Sequence, residues 1–111
     1  MTWEESRVRQ LVTLLAGRWV LSILAVLDDG PLRRRTLRAE IDGDVSDKVL
    51  TETLARLTTA GLVTRTLVPG VPPQVDYAVT DVALSLRPIL DTLDRWAVTH
   101  LLAEGFSTDL D

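Results

Sequence analysis

Residues 45–61 constrain this chain more than any other stretch, because they specify a helix with a marked start, a marked stop and two unlike faces. Ser46 is a preferred N-cap, since its hydroxyl can accept a backbone N–H that the first turn leaves unpaired. Val45 before the cap and Leu50 inside the helix have the spacing of a hydrophobic staple. Asp47 in the first turn suits the positive end of the helix dipole. Leu50, Leu54 and Leu57 fall on one face, and Gly61 can supply a left-handed exit. Asp47, Lys48, Thr51, Glu52, Ala55 and Arg56 are left for the other face, which is short, small and polar. An ordinary surface helix has the same pattern, but so does a helix that lies in a DNA groove.

The residues that follow narrow the choice. Leu62 to Val68 is rich in β-branched side chains and reads as a strand. Pro69-Gly70-Val71-Pro72-Pro73 is a turn, and Gln74 to Thr80 alternates as a second strand. A capped helix, a glycine exit and a hairpin with a proline-rich tip come in the order of a winged helix. The expected fold is therefore mainly α with a small β-hairpin, a winged helix-turn-helix.

Gly17-Arg18-Trp19, Asp29-Gly30-Pro31, Val45-Ser46 and Lys48 to Thr51 stand in the order and near the spacing of one family. Leu54 with Leu57, Gly61-Leu62-Val63, Arg65, Val71-Pro72-Pro73, Val75-Asp76-Tyr77 and Thr80 continue the match. Over roughly residues 17–100 the chain resembles the HxlR family of bacterial winged-helix transcription regulators. The resemblance implies a homodimer that binds double-stranded promoter DNA, with the helix over 46–60 in the major groove and the wing over 62–80 on the flanking backbone. It also implies that N- and C-terminal helices form the dimer interface. The chain departs from the family at several points. Arg34 stands where an aromatic core residue is usual, and Asp44 reads as a one-residue insertion. Glu52 and Thr53 replace a common Gln and Arg, and Gln74 replaces a common Arg. The changes at Glu52, Thr53 and Gln74 each remove positive charge or a base-reading group from the expected DNA face.

With 111 residues, a single domain over 1–104 is expected, with the helix-turn-helix at about 31–61, a C-terminal dimerisation helix at about 81–104 and a flexible tail over 105–111. A domain of this size buries roughly two-thirds of its unfolded surface. There is no cysteine, which removes disulfides, thiolate metal sites and thiol switches. One histidine without cysteine gives no zinc site. No long apolar run or leader is present, so a cytoplasmic protein away from membranes is expected.

The formal charge is −4, which opposes DNA binding, but the charge is unevenly placed. Residues 31–65 hold seven of the twelve basic side chains and five of the sixteen acidic ones. A basic centre with acidic flanks fits one DNA-facing side, although a net of two charges gives only modest phosphate attraction.

Thr2 with Glu5 has the spacing of a capping box for a first helix, which Gly17 should end. Trp19 to Leu27 is apolar on nearly every side and reads as a buried central helix. Pro31 should open a helix over Leu32 to Ile41, with Leu37 and Ile41 inward and Arg33, Arg34, Arg35 and Arg38 elsewhere. Thr80 caps a final helix that Pro88 should kink or interrupt. The expected DNA-contact set is Arg33, Arg35, Ser46, Lys48, Thr51, Glu52, Arg56 and Gln74, with Gln74 at the wing tip. No motif calls for a cofactor or for catalysis, so a non-enzyme is expected. Trp3, Trp19, Trp96 and His100 could line the dimer interface or a pocket for a small apolar or aromatic ligand. That arrangement would make the chain a ligand-binding protein on the same scaffold, with weakened DNA contacts.

Overall fold

The computed structural model describes residues 2–101. The tail expected from residue 105, and the last three residues of the expected dimerisation helix, lie outside them. Five α-helices and three strands follow one another: α1 (Arg7–Leu15), α2 (Val20–Val26), β1 (Leu32–Arg33), α3 (Arg34–Glu40), α4 (Asp47–Thr59), β2 (Val63–Val68), β3 (Gln74–Val79) and α5 (Asp81–His100). The fold is the mainly helical winged helix-turn-helix expected, with one strand more than a hairpin.

The core is where the short helices meet the sheet. Val20 and Ile23 of α2, Leu37 of α3 and Leu50, Leu54 and Leu57 of α4 are buried together with Trp19, Leu27, Ile41, Val45, Leu62, Val63 and Tyr77. Both partners of the expected staple, Val45 and Leu50, belong to this cluster. The sheet is antiparallel in the order β1-β3-β2. The wing hairpin runs from Val63↔Val79 to Val68↔Gln74.

Four expectations need correcting. Thr2 makes no side-chain cap, because Trp3–Glu5 turns as a 3-10 helix first. Ser6 caps α1 instead, accepting from the Val8 N–H at 3.2 Å while its hydroxyl donates to the Trp3 carbonyl at 2.8 Å. Leu32 and Arg33 are strand, not helix. Beyond Gly30, whose φ is +136°, the chain runs extended and pairs Leu32↔Tyr77 and Arg33↔Asp76, using the edge of β3 that the hairpin leaves open. The stretch from Trp19 to Leu27 is buried on one side only, through Val20, Ile23 and Leu27, while Leu21 and Ala25 are exposed.

The fourth correction concerns Pro88, which does not split the last helix in two but lies inside a continuous twenty-residue α5. Proline costs a helix one N–H donor, but the turns before it are anchored at three points. The Thr80 hydroxyl accepts from Ala83 N–H at 3.1 Å and donates to the Gly61 carbonyl at 2.7 Å, Leu86 is buried, and Arg87 donates to Asp28 beyond α2. Beyond that anchor α5 leaves the core, and Ile89, Leu93, Trp96 and Val98 are exposed. No single helix among the described residues is long and apolar enough to cross a membrane.

Candidate nucleic-acid interface

α4 starts and ends as its sequence requires. Ser46 is extended, with φ −70° and ψ 156°, and its Oγ accepts from Val49 N–H at 3.1 Å. At the other end Gly61 has φ +78°. There Leu62 N–H donates to the Leu57 carbonyl at 3.0 Å and Gly61 N–H to that of Thr58 at 3.1 Å, the paired bonds of a Schellman exit. Between these caps Leu50, Thr53, Leu54 and Leu57 face the core, and Thr53 satisfies its buried hydroxyl on the Val49 carbonyl at 2.7 Å. The opposite face is solvent-exposed and carries Asp47, Lys48, Thr51, Glu52 and Ala55.

The turn before α4 is packed against Trp19. Gly43 has φ +125°, and a Cβ there would stand 2.8 Å and 2.9 Å from the far ring carbons of that tryptophan. Trp19, whose outer face is covered by the Arg18 guanidinium 4.7 Å from its ring, is therefore a packing residue beneath the helix-turn-helix turn.

The three consecutive arginines at the start of α3 separate into two roles. Arg33 and Arg35 are exposed and have no carboxylate within ion-pair distance among the described residues. Arg34 points between the two motif helices. Its Nη2 donates to Asp47 Oδ1 at 2.7 Å, to Thr51 Oγ1 at 2.8 Å and to the Asp47 carbonyl at 3.2 Å. Arg38 adds a longer ion pair to the same carboxylate at 3.7 Å and donates to the Val45 carbonyl at 3.3 Å. The hydrogen bond from Arg34, then its charge, holds the Asp47 carboxyl below the ordinary carboxylate range, with Arg38 adding to it. The same bond raises the Arg34 guanidinium, against the opposing effect of its partial burial. Nothing in the one-dimensional pattern marks Arg34 and Asp47 as partners; the only signal is a charged residue where the family pattern has an aromatic one.

The remaining expected contacts are spread around this centre. Thr51 faces outward, but its hydroxyl donates to the Asp47 carbonyl at 2.9 Å and accepts from Arg34, so its methyl is the group left free. Arg56 lies at the edge of the face, with Nη2 3.6 Å from the place a Cβ on Gly17 would occupy. Gln74 is not at the wing tip. It is the half-buried first residue of β3, paired with Val68, because the turn over residues 69–73 takes up the whole tip. With Arg33, Arg34, Arg35, Pro72 and Pro73 it lines an open hollow of about 300 Å³ between α3 and the wing. The tip itself is uncharged, and Val71 is fully exposed there.

The tryptophans do not gather into a pocket within one chain. Trp19 is buried, Trp3 is 74% exposed and Trp96 is 54% exposed, lying against the His100 ring 4.9 Å away. None of them lines the hollow beside Arg35 and Asp47, the one between α2 and α5, or the one against the wing.

Known proteins share this architecture and much of its sequence. The family model described as HxlR-like helix-turn-helix matches residues 14–104. An HTH-type transcriptional regulator of Halalkalibacterium halodurans is 40% identical over 90 residues, covering 80% of this chain and 79% of that one. The HTH-type transcriptional regulator YkvN of Bacillus subtilis is 37% identical over 83 residues, covering 75% and 70%. Among solved structures, the reduced form of the transcriptional regulator YodB from B. subtilis superposes with a TM-score of 0.79 at 29% identity, covering 91% of this chain and 96% of that one. The redox regulator HypR in its reduced form gives 0.73 at 28% identity, covering 85% and 92%. With the family model, the relatives and the fold in agreement, this chain belongs to the HxlR-like helix-turn-helix family of winged-helix transcriptional regulators.

Proposed function

We propose that the chain acts as a homodimer that binds operator DNA, with α4 in the major groove and the wing against the flanking backbone. The observation that carries this reading is the exposed polar face of α4, bordered by Arg33 and Arg35 with no acidic partner of their own. A helix with a small polar outer face and cations beside its N-terminus meets both needs of a groove-binding element, base contact and phosphate contact. Lys48 and Glu52 face base edges, where lysine suits guanine acceptors and glutamate suits the cytosine amino group. Thr51 offers its methyl, which suits the thymine C5-methyl. Ser46 keeps its hydroxyl proton for a phosphate while its oxygen caps α4. Arg33, Arg35 and Gln74, with the paired Arg34 also on the wall, border a hollow wide enough for a backbone phosphate. Arg56 joins the contact set by turning from Gly17 toward the backbone.

Dimerisation is supported by apolar surface that one chain leaves open. Trp3, Val8 and Val12 at the N-terminus are exposed, as are Ile89, Leu93 and Trp96 on α5. Apolar surface of this extent on two terminal helices marks an association face. The units we assign are the helix-turn-helix over 31–61, the wing over 62–80 and the dimerisation helix from 81.

The test is binding of the purified protein to DNA from upstream of its own gene, across a range of salt. Four cations per protomer (Arg33, Arg35, Lys48 and Arg56), doubled by the dimer, give a slope of log affinity against log salt on the order of −7. Saturable, competitor-resistant binding with such a slope is the expected result. Absence of specific binding at low salt refutes the proposal.

A further inference from the structure

We infer that Arg34 is a positioning residue for the recognition helix, fixing how α4 is presented to DNA while making no phosphate contact of its own. The inference rests on the DNA-binding reading above and adds to it a division of labour among three adjacent arginines.

The geometry assigns the Arg34 Nη2 protons completely. That nitrogen carries two, and Asp47 Oδ1 at 2.7 Å and Thr51 Oγ1 at 2.8 Å take them, with the Asp47 carbonyl sharing at 3.2 Å. The Arg34 side chain is 28% exposed, against 73% for that of Asp47, so the arginine is the more covered partner of the pair. All three acceptors belong to the first turns of α4, while the donor stands on the first turn of α3. Arg38 braces the same joint from one turn further along α3, through Asp47 and the Val45 carbonyl. Elsewhere α3 and α4 meet through apolar side chains such as Leu37 and Leu50, which resist separation but give little control of rotation. Directed hydrogen bonds to one planar guanidinium supply that control.

Charge placement supports the same assignment. Asp47 stands on the face offered to DNA, where an isolated carboxylate would repel phosphates. Paired with Arg34 it forms a locally neutral unit, leaving phosphate attraction to Arg33 and Arg35 on either side. Arg33 ends β1 in an extended conformation and Arg35 lies in the first turn of α3; both are exposed, while Arg34 between them is half-buried. Lysine in place of Arg34 would keep the charge but could not hold three acceptors in fixed directions.

The experiment compares the full-length wild type with Arg34→Lys, Arg34→Met, Asp47→Ala, the Arg34→Met/Asp47→Ala pair and Arg35→Ala. Each is titrated with a selected operator and with a random duplex across a salt series. A positioning role predicts that Arg34→Lys, Arg34→Met and Asp47→Ala each lower the operator-to-random affinity ratio by about tenfold, and that the double variant falls no further than either single one. It also predicts that Arg34→Met keeps the wild-type salt slope, whereas Arg35→Ala reduces it by about two units, one per protomer. A slope in Arg34→Met reduced as much as in Arg35→Ala overturns the inference, as does an unchanged ratio in Arg34→Lys. Arg34→Lys retains the charge and serves if Arg34→Met does not fold, which circular dichroism reports. A wild type that binds no DNA defeats the regulator proposal itself; a wild type that binds while the Arg34 variants keep its ratio defeats this inference alone.

Discussion

Replacing Gly43 with alanine should be among the most damaging single-methyl changes in this protein, for two separable reasons. The first is backbone strain, since Gly43 has φ +125°, where an L-residue costs about 1–2 kcal/mol. The second is overlap, because the new Cβ would stand 2.8 Å and 2.9 Å from ring carbons of Trp19. That ring is buried and covered by Arg18, so relief requires moving a packed indole, at about 1–3 kcal/mol. Together these come to about 2–5 kcal/mol, a large fraction of the stability of a small domain. For a chain of this length the melting temperature should fall by about 15 °C. Circular dichroism and tryptophan fluorescence should report the same transition. Adding Trp19→Leu removes the overlap and leaves the strain, so the two substitutions should be non-additive by about 1–3 kcal/mol. A Gly43→Ala melting point within about 3 °C of wild type would refute the reasoning, because neither the turn conformation nor the Trp19 packing could then be as described.

Other outcomes follow from the same structure. Thr80→Ala removes both the cap on Ala83 and the bond to the Gly61 carbonyl, and should lower stability by about 1–2 kcal/mol in urea with an unchanged m-value. Asp47 has a folded pKa below its ordinary 3.8, so its contribution is present above that value and is lost as pH falls through the lower folded one. The melting-point difference between wild type and Asp47→Ala should therefore be constant near neutrality and shrink in acid; a difference growing in acid would contradict the sign. Leu93→Glu and Trp96→Glu should shift sedimentation from dimer to monomer while leaving helical content intact, since both side chains are exposed in the single chain. Lys48→Ala should weaken operator binding and reduce the salt slope by about one unit per protomer, and unchanged binding would remove Lys48 from the contact set.

What the sequence determined by itself were the features set by near neighbours along the chain. The Ser46 cap, the leucine face of α4, the Gly61 exit, the Thr80 cap and the hairpin all depend on residues a few positions apart, and all stand where local pattern puts them. The family was legible for the same reason, because its motif is an ordered series of such local signals. Tertiary structure decided what depends on partners distant in the chain. Leu32 and Arg33 became strand because β3 had an open edge, overriding the helix start that Pro31 promised. One local signal also misled, since Ser6 rather than Thr2 became the first cap once the chain spent Trp3–Glu5 in a 3-10 turn. At the candidate site, periodicity could separate the inner from the outer face of α4, but not tell a free arginine from a paired one. Arg34 found Asp47 and Trp19 was taken up by Gly43, each through a contact between elements. A residue's type limits the bonds it can make; which of them it makes depends on what the folded chain brings within about 3 Å of it.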